Sequence, residues 1–317
     1  MRIPPQLPAG LGTIPFTVTE AIDAGASVGR LRYRGFSIPS RGIRVPASAT
    51  EDNNHSSIRP YTIVTAFSAA SHATAFVLWQ FPGYLPGVGR QTIHISRPDT
   101  MAIVRRRGVT GYVGQFFDDE IVSCEGLLVT SRVRTWLDCA RRMSVDEITV
   151  VADHLLREPR PALEGRDAPF ATMEDLEEML DRHKGTPGIR KARLALKQAR
   201  VGADSAPETR LRLALEYAGV PEPELNVPTV LGAGVVRQPD LSYPEQKVAV
   251  EYDGEVHSDT ARIIRDITRE EDYTRAGWLM VRISKLHMEN EAKAAVRKVS
   301  RALRSRGWMQ SDSQLTS

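Results

Sequence analysis

Cysteine is nearly absent: Cys124 and Cys139 are the only two in 317 residues. With no CxxC spacing, a disulfide framework is excluded, both thiols read as core filler, and a reducing cytoplasm is the expected compartment. Long apolar runs are missing as well. None approaches the roughly 18 residues a membrane-spanning helix needs, so no membrane partner is expected. The opening Met1-Arg2-Ile3-Pro4-Pro5 lacks the basic-then-apolar pattern of a secretory signal. There is no internal repeat, which argues against a solenoid or propeller.

What is present points to several globular domains. Hydrophobic residues make up 41% and charged residues 26%, enough apolar content for real cores. The length exceeds one typical domain and suggests two or three. The net charge is only +3, so its distribution says more than its sum. Between Arg182 and Arg212 the basic residues outnumber the acids Asp204 and Glu208, and a second basic run extends from Lys293 to Arg306. Such stripes favour a polyanion through counterion release.

The expected fold class is α/β, multidomain. In residues 1–50, Phe16 to Ile22 reads as a short helix with Thr17 or Thr19 as cap. Ala24-Gly25-Ala26 is a turn, and Ser27 caps a second helix to Tyr33. Phe36 to Val45 reads as a hairpin, so the segment is expected to be a winged helix-turn-helix. Arg30, Arg32, Arg34, Arg41 and Arg44 would line its exposed side, and Arg30, Arg32, Arg41 and Arg44 are the candidate DNA contacts. Residues 47–58 are polar and read as a linker. Residues 59–200 form an α/β middle segment with an apolar helix from Ile63 to Trp79, strands near 91–96 and 127–131, and helices at 132–140, 144–157, 172–182 and 187–201.

Residues 204–307 give the clearest pattern. Ser205, Pro207 and Glu208 start a helix, which Gly219 ends. Strands are expected near Val227–Leu231, Val236–Ser242 and Lys247–Asp253, then a helix capped by Ser258 and stopped by Gly277, a strand from Trp278 and a last helix from Ser284. The order is α-β-β-β-α-β-α, and residues 308–317 read as a disordered tail.

Side chains alternate along a strand, so Ala249, Glu251 and Asp253 share one face, with Val248, Val250 and Tyr252 on the other. Two same-face carboxylates repel each other unless a cation compensates. Asp240, on the partner strand, reaches the same point. Three such oxygens suit Mg²⁺ or Mn²⁺, and a metal-activated water can attack a phosphodiester. Asp240, Glu251 and Asp253 are therefore the expected metal ligands and catalytic carboxylates.

These pieces resemble the PD-(D/E)xK nuclease superfamily, in the branch similar to very-short-patch-repair endonucleases. They are Ser205-Ala206-Pro207-Glu208, Pro239-Asp240-Leu241, Val250 to His257, Arg265 to Arg269 and Gly277 to Arg282, about 80 residues in order. The resemblance implies a restriction-endonuclease-like core, with Asp240 and Glu251 as metal ligands, Glu208 as a further acidic site member and His257 assisting proton transfer or holding phosphate. Arg269 and Arg282 are further candidate nucleic-acid contacts, whereas Asp266 and Arg269 also read as an ordinary helical pair. One departure matters: the superfamily's usual Lys is replaced by Asp253. Lys247 shares the strand face of Glu251 but lies about 13 Å away by strand rise.

The earlier segments, through Phe67-Ser68-Ala69-Ala70, His94 to Pro98, Gly108-Val109 and Gly126 to Asp138, resemble AbiEi-like antitoxins of abortive-infection systems. That resemblance implies DNA binding, a bacterial origin and a cognate toxin as partner. The expected function is a DNA-binding protein, acting on double-stranded DNA, with a Mg²⁺-dependent endonuclease-like domain for defence or repair. Its rival is a non-catalytic, antitoxin-like transcriptional repressor that keeps the nuclease fold as a scaffold.

Overall fold

The computed structural model describes residues 7–8, 10–32, 35–49, 54–88, 92–232, 234–254 and 260–309. These combine helices with sheets of three, five, two and four strands, so the chain is a mixed α/β protein. Two compact units share it. The first holds Met1–Met143 and Glu178–Ile189, and the second holds Ser144–Glu177 and Arg190–Ser317. The stretch 59–200 thus contributes to both.

The first unit opens with an antiparallel sheet of Phe16–Thr17, Ile43–Pro46 and Phe36–Ser37 in that spatial order. Thr17, rather than Thr19, caps the helix Val18–Asp23. Its hydroxyl accepts from the Glu20 N–H at 3.1 Å and the Glu20 carboxylate accepts from the Thr17 N–H at 2.9 Å, which satisfies two donors reciprocally. Gly25, at φ +94°, reverses the chain, and Ser27 caps a short helix, Val28–Leu31. Phe16, Ala21 and Leu31 form the small core beneath.

Two expectations fail here. Residues 47–58 are not wholly a linker: a helix, Asn54–Ile63, begins inside them and buries Ile58 and Tyr61. The single helix expected from Ile63 to Trp79 is also broken. Phe67 takes φ +56°, and the Ser68 hydroxyl donates to the Thr65 carbonyl at 2.6 Å. Ala69–Ala70 then pair with Ser96 and Ile95 on one side and Val129 on the other, before a helix resumes at His72–Leu78. Tertiary pairing here overrides local preference, since Ala itself is a strong helix former. The resulting sheet runs Val109–Gly114, Ile93–Pro98, Ala69–Ala70, Leu127–Thr130, Ile121–Cys124. The helix Arg132–Ala140 follows directly, capped by Ser131.

In the second unit the helices Val145–Leu156 and Ala206–Tyr217 pack together. The main sheet runs Leu279–Ser284, Val248–Asp253, Leu241–Tyr243, Glu224–Leu225. Its first two strands are parallel and the helix Thr260–Arg275 connects them. Among the described residues, five strands, not three, lie between Ala206–Tyr217 and that helix. The expected strand Val236–Ser242 is split: Val235–Arg237 pairs with Thr229–Gly232 in a separate hairpin, and Leu241–Tyr243 joins the main sheet. Pro239, which has no N–H to give a ladder, sits at the break.

Val248 and Val250 pack with Leu211, Leu215, Val281, Ile283, Val299 and Leu303, and Tyr252 packs partly against them. This fixes the strand's two faces. The helix Lys293–Ser305 closes that core, and Trp308 packs on it, so the ordered chain continues past the expected start of the tail. Residues 310–317 lie outside the described residues.

Candidate active site

The carboxylates sit on the face of Val248–Asp253 opposite the core. Leu241 pairs with Val250, so Asp240, just before its strand, faces the Glu251 region. One Asp240 oxygen accepts the Tyr252 N–H at 2.6 Å. Glu251 forms an ion pair with Arg269 from the connecting helix, and Arg269 also donates to the Gln238 carbonyl at 2.7 Å. Parallel register places Arg282 beside Glu251 and Ser284 beside Asp253. Arg282 lies 3.6 Å from Glu270.

Glu208 comes from the start of Ala206–Tyr217. One oxygen accepts from the Ser205 hydroxyl at 2.6 Å. The other accepts from the Asp204 N–H at 2.9 Å and the Asn226 amide at 2.7 Å. The carboxylate therefore braces the helix start, in the Ser-x-x-Glu spacing, and is buried next to the site.

Electrostatics join these groups. Burial pushes the Glu208 carboxyl above the usual range, despite the Ser205 bond, and the charge of Asp240 adds to the rise. Burial pushes Asp240 up to about 6. The Tyr252 N–H opposes this, Glu251 and Asp204 reinforce it, and Arg269 offsets part of it. Burial and the nearby Glu251 charge push the Tyr273 phenol up to about 12. Glu208, Asp240 and Glu251 thus form one coupled acidic cluster with Arg269 as a cation inside it. Asp253 shares the strand face. His257 lies outside the described residues, as does the side chain of Asp266. Among the described residues, no group of three or more His, Cys, Asp or Glu side chains is arranged to hold a metal ion.

A stability consequence follows. The folded pKa of Asp240 lies above its ordinary value, so its contribution is fully present below about pH 4 and lost as pH rises through about 6. Asp240→Asn keeps an acceptor for the Tyr252 N–H and removes the charge. We expect it to stabilise the protein by about 2 kcal/mol at pH 7.5, with the difference vanishing towards pH 4. Thermal melts at both pH values check this; a destabilised variant at pH 7.5 would contradict the charge-repulsion account.

The basic residues separate into spent and available cations. Arg44 is tied down, donating to the Leu31 carbonyl at 2.9 Å and the Ile43 carbonyl at 3.0 Å. Arg30 lies over the Phe36 ring, 4.8 Å from its centroid, while Arg32 and Arg41 are exposed. In the Arg182–Arg212 stretch, acids distant in sequence neutralise much of the charge. Arg182 pairs with Asp119 and Glu178, Arg200 with Glu222, Arg210 with Glu147 and Arg212 with Asp153. The last helix differs: Ala295, Val299, Ala302 and Leu303 are buried, and Arg297, Lys298, Arg301 and Arg304 are exposed, although Lys298 donates to the Arg282 carbonyl at 2.6 Å and Arg304 lies over the Trp308 ring.

Reading the residues missed Asn226 as the holder of Glu208 and Tyr273 as a neighbour of Glu251. Neither carries a spacing signal, because both meet the site only through the tertiary fold.

No family model matches the chain, and no solved structure matches it. Two curated relatives from strains of Mycobacterium tuberculosis, Uncharacterized protein MT2308 and Uncharacterized protein Rv2248, are each 30% identical over 193 residues. The match covers 60% of this chain and 66% of each relative, so the chain spans just under two thirds of their length. No helix among the described residues is long and apolar enough to cross a membrane.

Proposed function

We propose that this chain binds double-stranded DNA and carries a metal-dependent endonuclease-like domain of the PD-(D/E)xK type in its second unit. The observation that carries this reading is the coupled cluster Glu208, Asp240 and Glu251 beside one parallel strand pair. A strand end bearing mutually repelling, half-buried acids lowers stability, and a fold keeps such a feature where a cation or a reaction uses it.

The donor set fits Mg²⁺ or Mn²⁺. All its atoms are hard carboxylate oxygens, and Mg²⁺ takes only one or two protein carboxylates and keeps its waters. Asp240 and Glu251 would hold the ion, with Asp253 on the same strand face as a further candidate donor. Such an ion supplies an activated water and charge stabilisation at the phosphate. The chain's own residues do the rest. Glu208 and Asn226 fix the helix start behind Asp240. Arg269 holds Glu251 and carries the positive charge a phosphate needs when Glu251 turns to a metal. Arg282, on the neighbouring strand, is the second phosphate contact.

The winged-helix reading of residues 1–50 and the AbiEi-like reading of 59–200 belong to the same proposal, as do a cytoplasmic setting and a toxin partner. The exposed Arg32 and Arg41 and the basic face of the last helix would bind the DNA backbone. The test is incubation of the purified protein with duplex DNA and Mg²⁺ or Mn²⁺, with a chelator as control. Cleavage that the chelator removes supports the reading; no cleavage with any divalent metal sinks it.

One observation favours a second reading, a non-catalytic repressor. Arg269 already neutralises Glu251, and Asp253 stands where the superfamily has Lys. The readings part at Arg269→Ala. If the cluster is a metal site, this change exposes Glu251 and Mn²⁺ should raise the melting temperature more than in wild type. If it is a scaffold, Arg269→Ala destabilises and Mn²⁺ does nothing.

A further inference from the structure

The first unit contains a cavity of about 670 Å³. Its size is within the range of small-molecule sites. Its walls come from the end of the strand Val109–Gly114, the helix Arg132–Ala140 with the two residues after it, the loop His183–Pro187, and His72 at the start of its own helix. Arg134, Arg141, Arg142, Arg182 and Lys184 line it, and among the described residues Asp138 is the one acid in the lining.

These cations are not equivalent. Arg134 is buried and committed: it donates to Asp138 at 2.8 Å, to Glu120 at 2.7 Å and to the Gln115 carbonyl at 2.7 Å. Arg182 is held by Asp119 and Glu178. Arg142 and Lys184 are exposed and make no hydrogen bond or ion pair among the described residues. Two unspent positive charges therefore line the cavity, and one oxygen of its acid, Asp138, is already bonded to Arg134, an arrangement suited to a multiply charged anion.

Two further features say which anion. His72 and Tyr112 line the cavity as a stack, with ring centroids 3.6 Å apart and planes 11° apart. His72 holds φ +47°, a backbone region that costs energy and persists where the surroundings enforce it. Burial keeps its imidazole below the ordinary value, with the Asp138 charge opposing. Burial likewise lowers neighbouring His94 to about 4. The flat wall is thus neutral at pH 7, and the arginines and lysine supply the charge.

Asp138 is the second feature. Its side chain is 3% exposed, and the oxygen that does not meet Arg134 has no hydrogen-bond partner among the described residues. The His72 ring nitrogen is 4.0 Å from it. A buried acceptor without a donor costs free energy until a donor arrives. Inorganic phosphate can donate one or two hydroxyls at pH 7 but has no ring to lie along the stack, whereas a nucleotide offers phosphate, a flat ring and hydroxyl or amino donors together.

We propose that this cavity binds a free nucleotide, with its phosphates against Arg142 and Lys184, its ring along the His72–Tyr112 stack and a donor on Asp138. The inference is independent of the endonuclease reading, because every residue it uses lies in the first unit.

The test is calorimetric titration of the full-length protein with ADP and GDP at fixed salt, with pyrophosphate and adenosine as partial ligands. At least one nucleotide should bind saturably, and both pyrophosphate and adenosine should bind at least about tenfold more weakly, since each lacks half the contacts. Arg142→Glu and Lys184→Glu should each weaken the nucleotide about tenfold or more, while Arg142→Lys stays within about threefold. Both positions are exposed, so the variants should melt with wild type. The proposal is overturned if neither nucleotide binds, if both charge reversals leave affinity unchanged, or if a 5′-phosphorylated oligonucleotide binds there and the mononucleotides do not.

Discussion

Asp240→Asn and Glu251→Gln are each expected to lower metal-dependent DNA cleavage at least about 100-fold. Both changes are nearly isosteric and remove one negative charge from the cluster. A bound divalent ion contributes several kcal/mol of charge stabilisation, and each 1.36 kcal/mol is tenfold in rate, so loss of one ligand charge reaches this size. Ordinarily such a loss could be a folding defect. Here the charge argument separates the two outcomes, because Asp240→Asn is expected to be more stable than wild type at pH 7.5 while being inactive. Glu208→Gln is a graded comparison. It keeps the contacts of a brace but weakens the charge-assisted bonds, so a smaller loss of roughly 10- to 100-fold is expected. Steady-state cleavage of a labelled duplex at matched salt reads all three. Equal rates in wild type, Asp240→Asn and Glu251→Gln would remove the site from the reaction.

The parts of this cluster were unequally visible in the sequence. The alternation of Val248 to Asp253 was legible, because a period of two next to a half-buried sheet leaves one assignment of faces, and the core contacts of Val248 and Val250 agree with it. Asp240 was legible from its place on the strand expected to pair with Val248–Asp253 and from the resemblance of Pro239-Asp240-Leu241. The same Pro239 also held the information that the strand from Val236 could not run through it, and the apolar pattern masked that signal. The partner of Glu251 was not legible. Arg269 lies a whole crossover away, and only the path of Thr260–Arg275 across the sheet brings it there.

Charge was the least legible property. A count along the chain makes Arg182 to Arg212 a basic stripe opposed by Asp204 and Glu208. In the fold, Arg182, Arg200, Arg210 and Arg212 each find an acid outside that stretch. Composition fixes the number of charges but not their pairing, so it overstates the surface available to a polyanion. Lys293–Ser305 keeps more of its charge at the surface because it has no acid of its own, although Lys293 pairs with the preceding Glu291. His72 and Asp138 illustrate the converse. Each looks ordinary in the sequence, and they become a feature only when the sheet brings their helices side by side.

The largest stability effect is expected at a pair that catalysis does not use. Arg212 and Asp153 meet at 2.9 Å with side chains each 1% exposed. Asp153 also accepts from the Arg200 N–H at 2.7 Å and the Thr209 hydroxyl at 2.9 Å, yet burial still raises its carboxyl above the usual range. Desolvation therefore outweighs the pairing for Asp153, and the pair's main effect is that neither charge is left alone. Asp153→Ala leaves the Arg212 guanidinium buried, with Glu216 at 3.7 Å as its remaining acid. We expect a loss of about 3–5 kcal/mol, a large share of a typical domain's stability, and a melting point lower by roughly 10 °C. Arg212→Met should cost less, because Asp153 can take up a proton and keep its Thr209 contact. That variant carries a sign of its own: the folded pKa of Asp153 rises further, so its stability relative to wild type should be best at low pH and fall as pH rises. Glu222→Ala, which breaks the exposed pair with Arg200, should stay within about 1 kcal/mol. Urea melts of the three variants between pH 5 and 8 decide the matter. An Asp153→Ala variant as stable as Glu222→Ala would mean that Arg212 finds water or another acid, and that the buried pair is not what holds the two helices together.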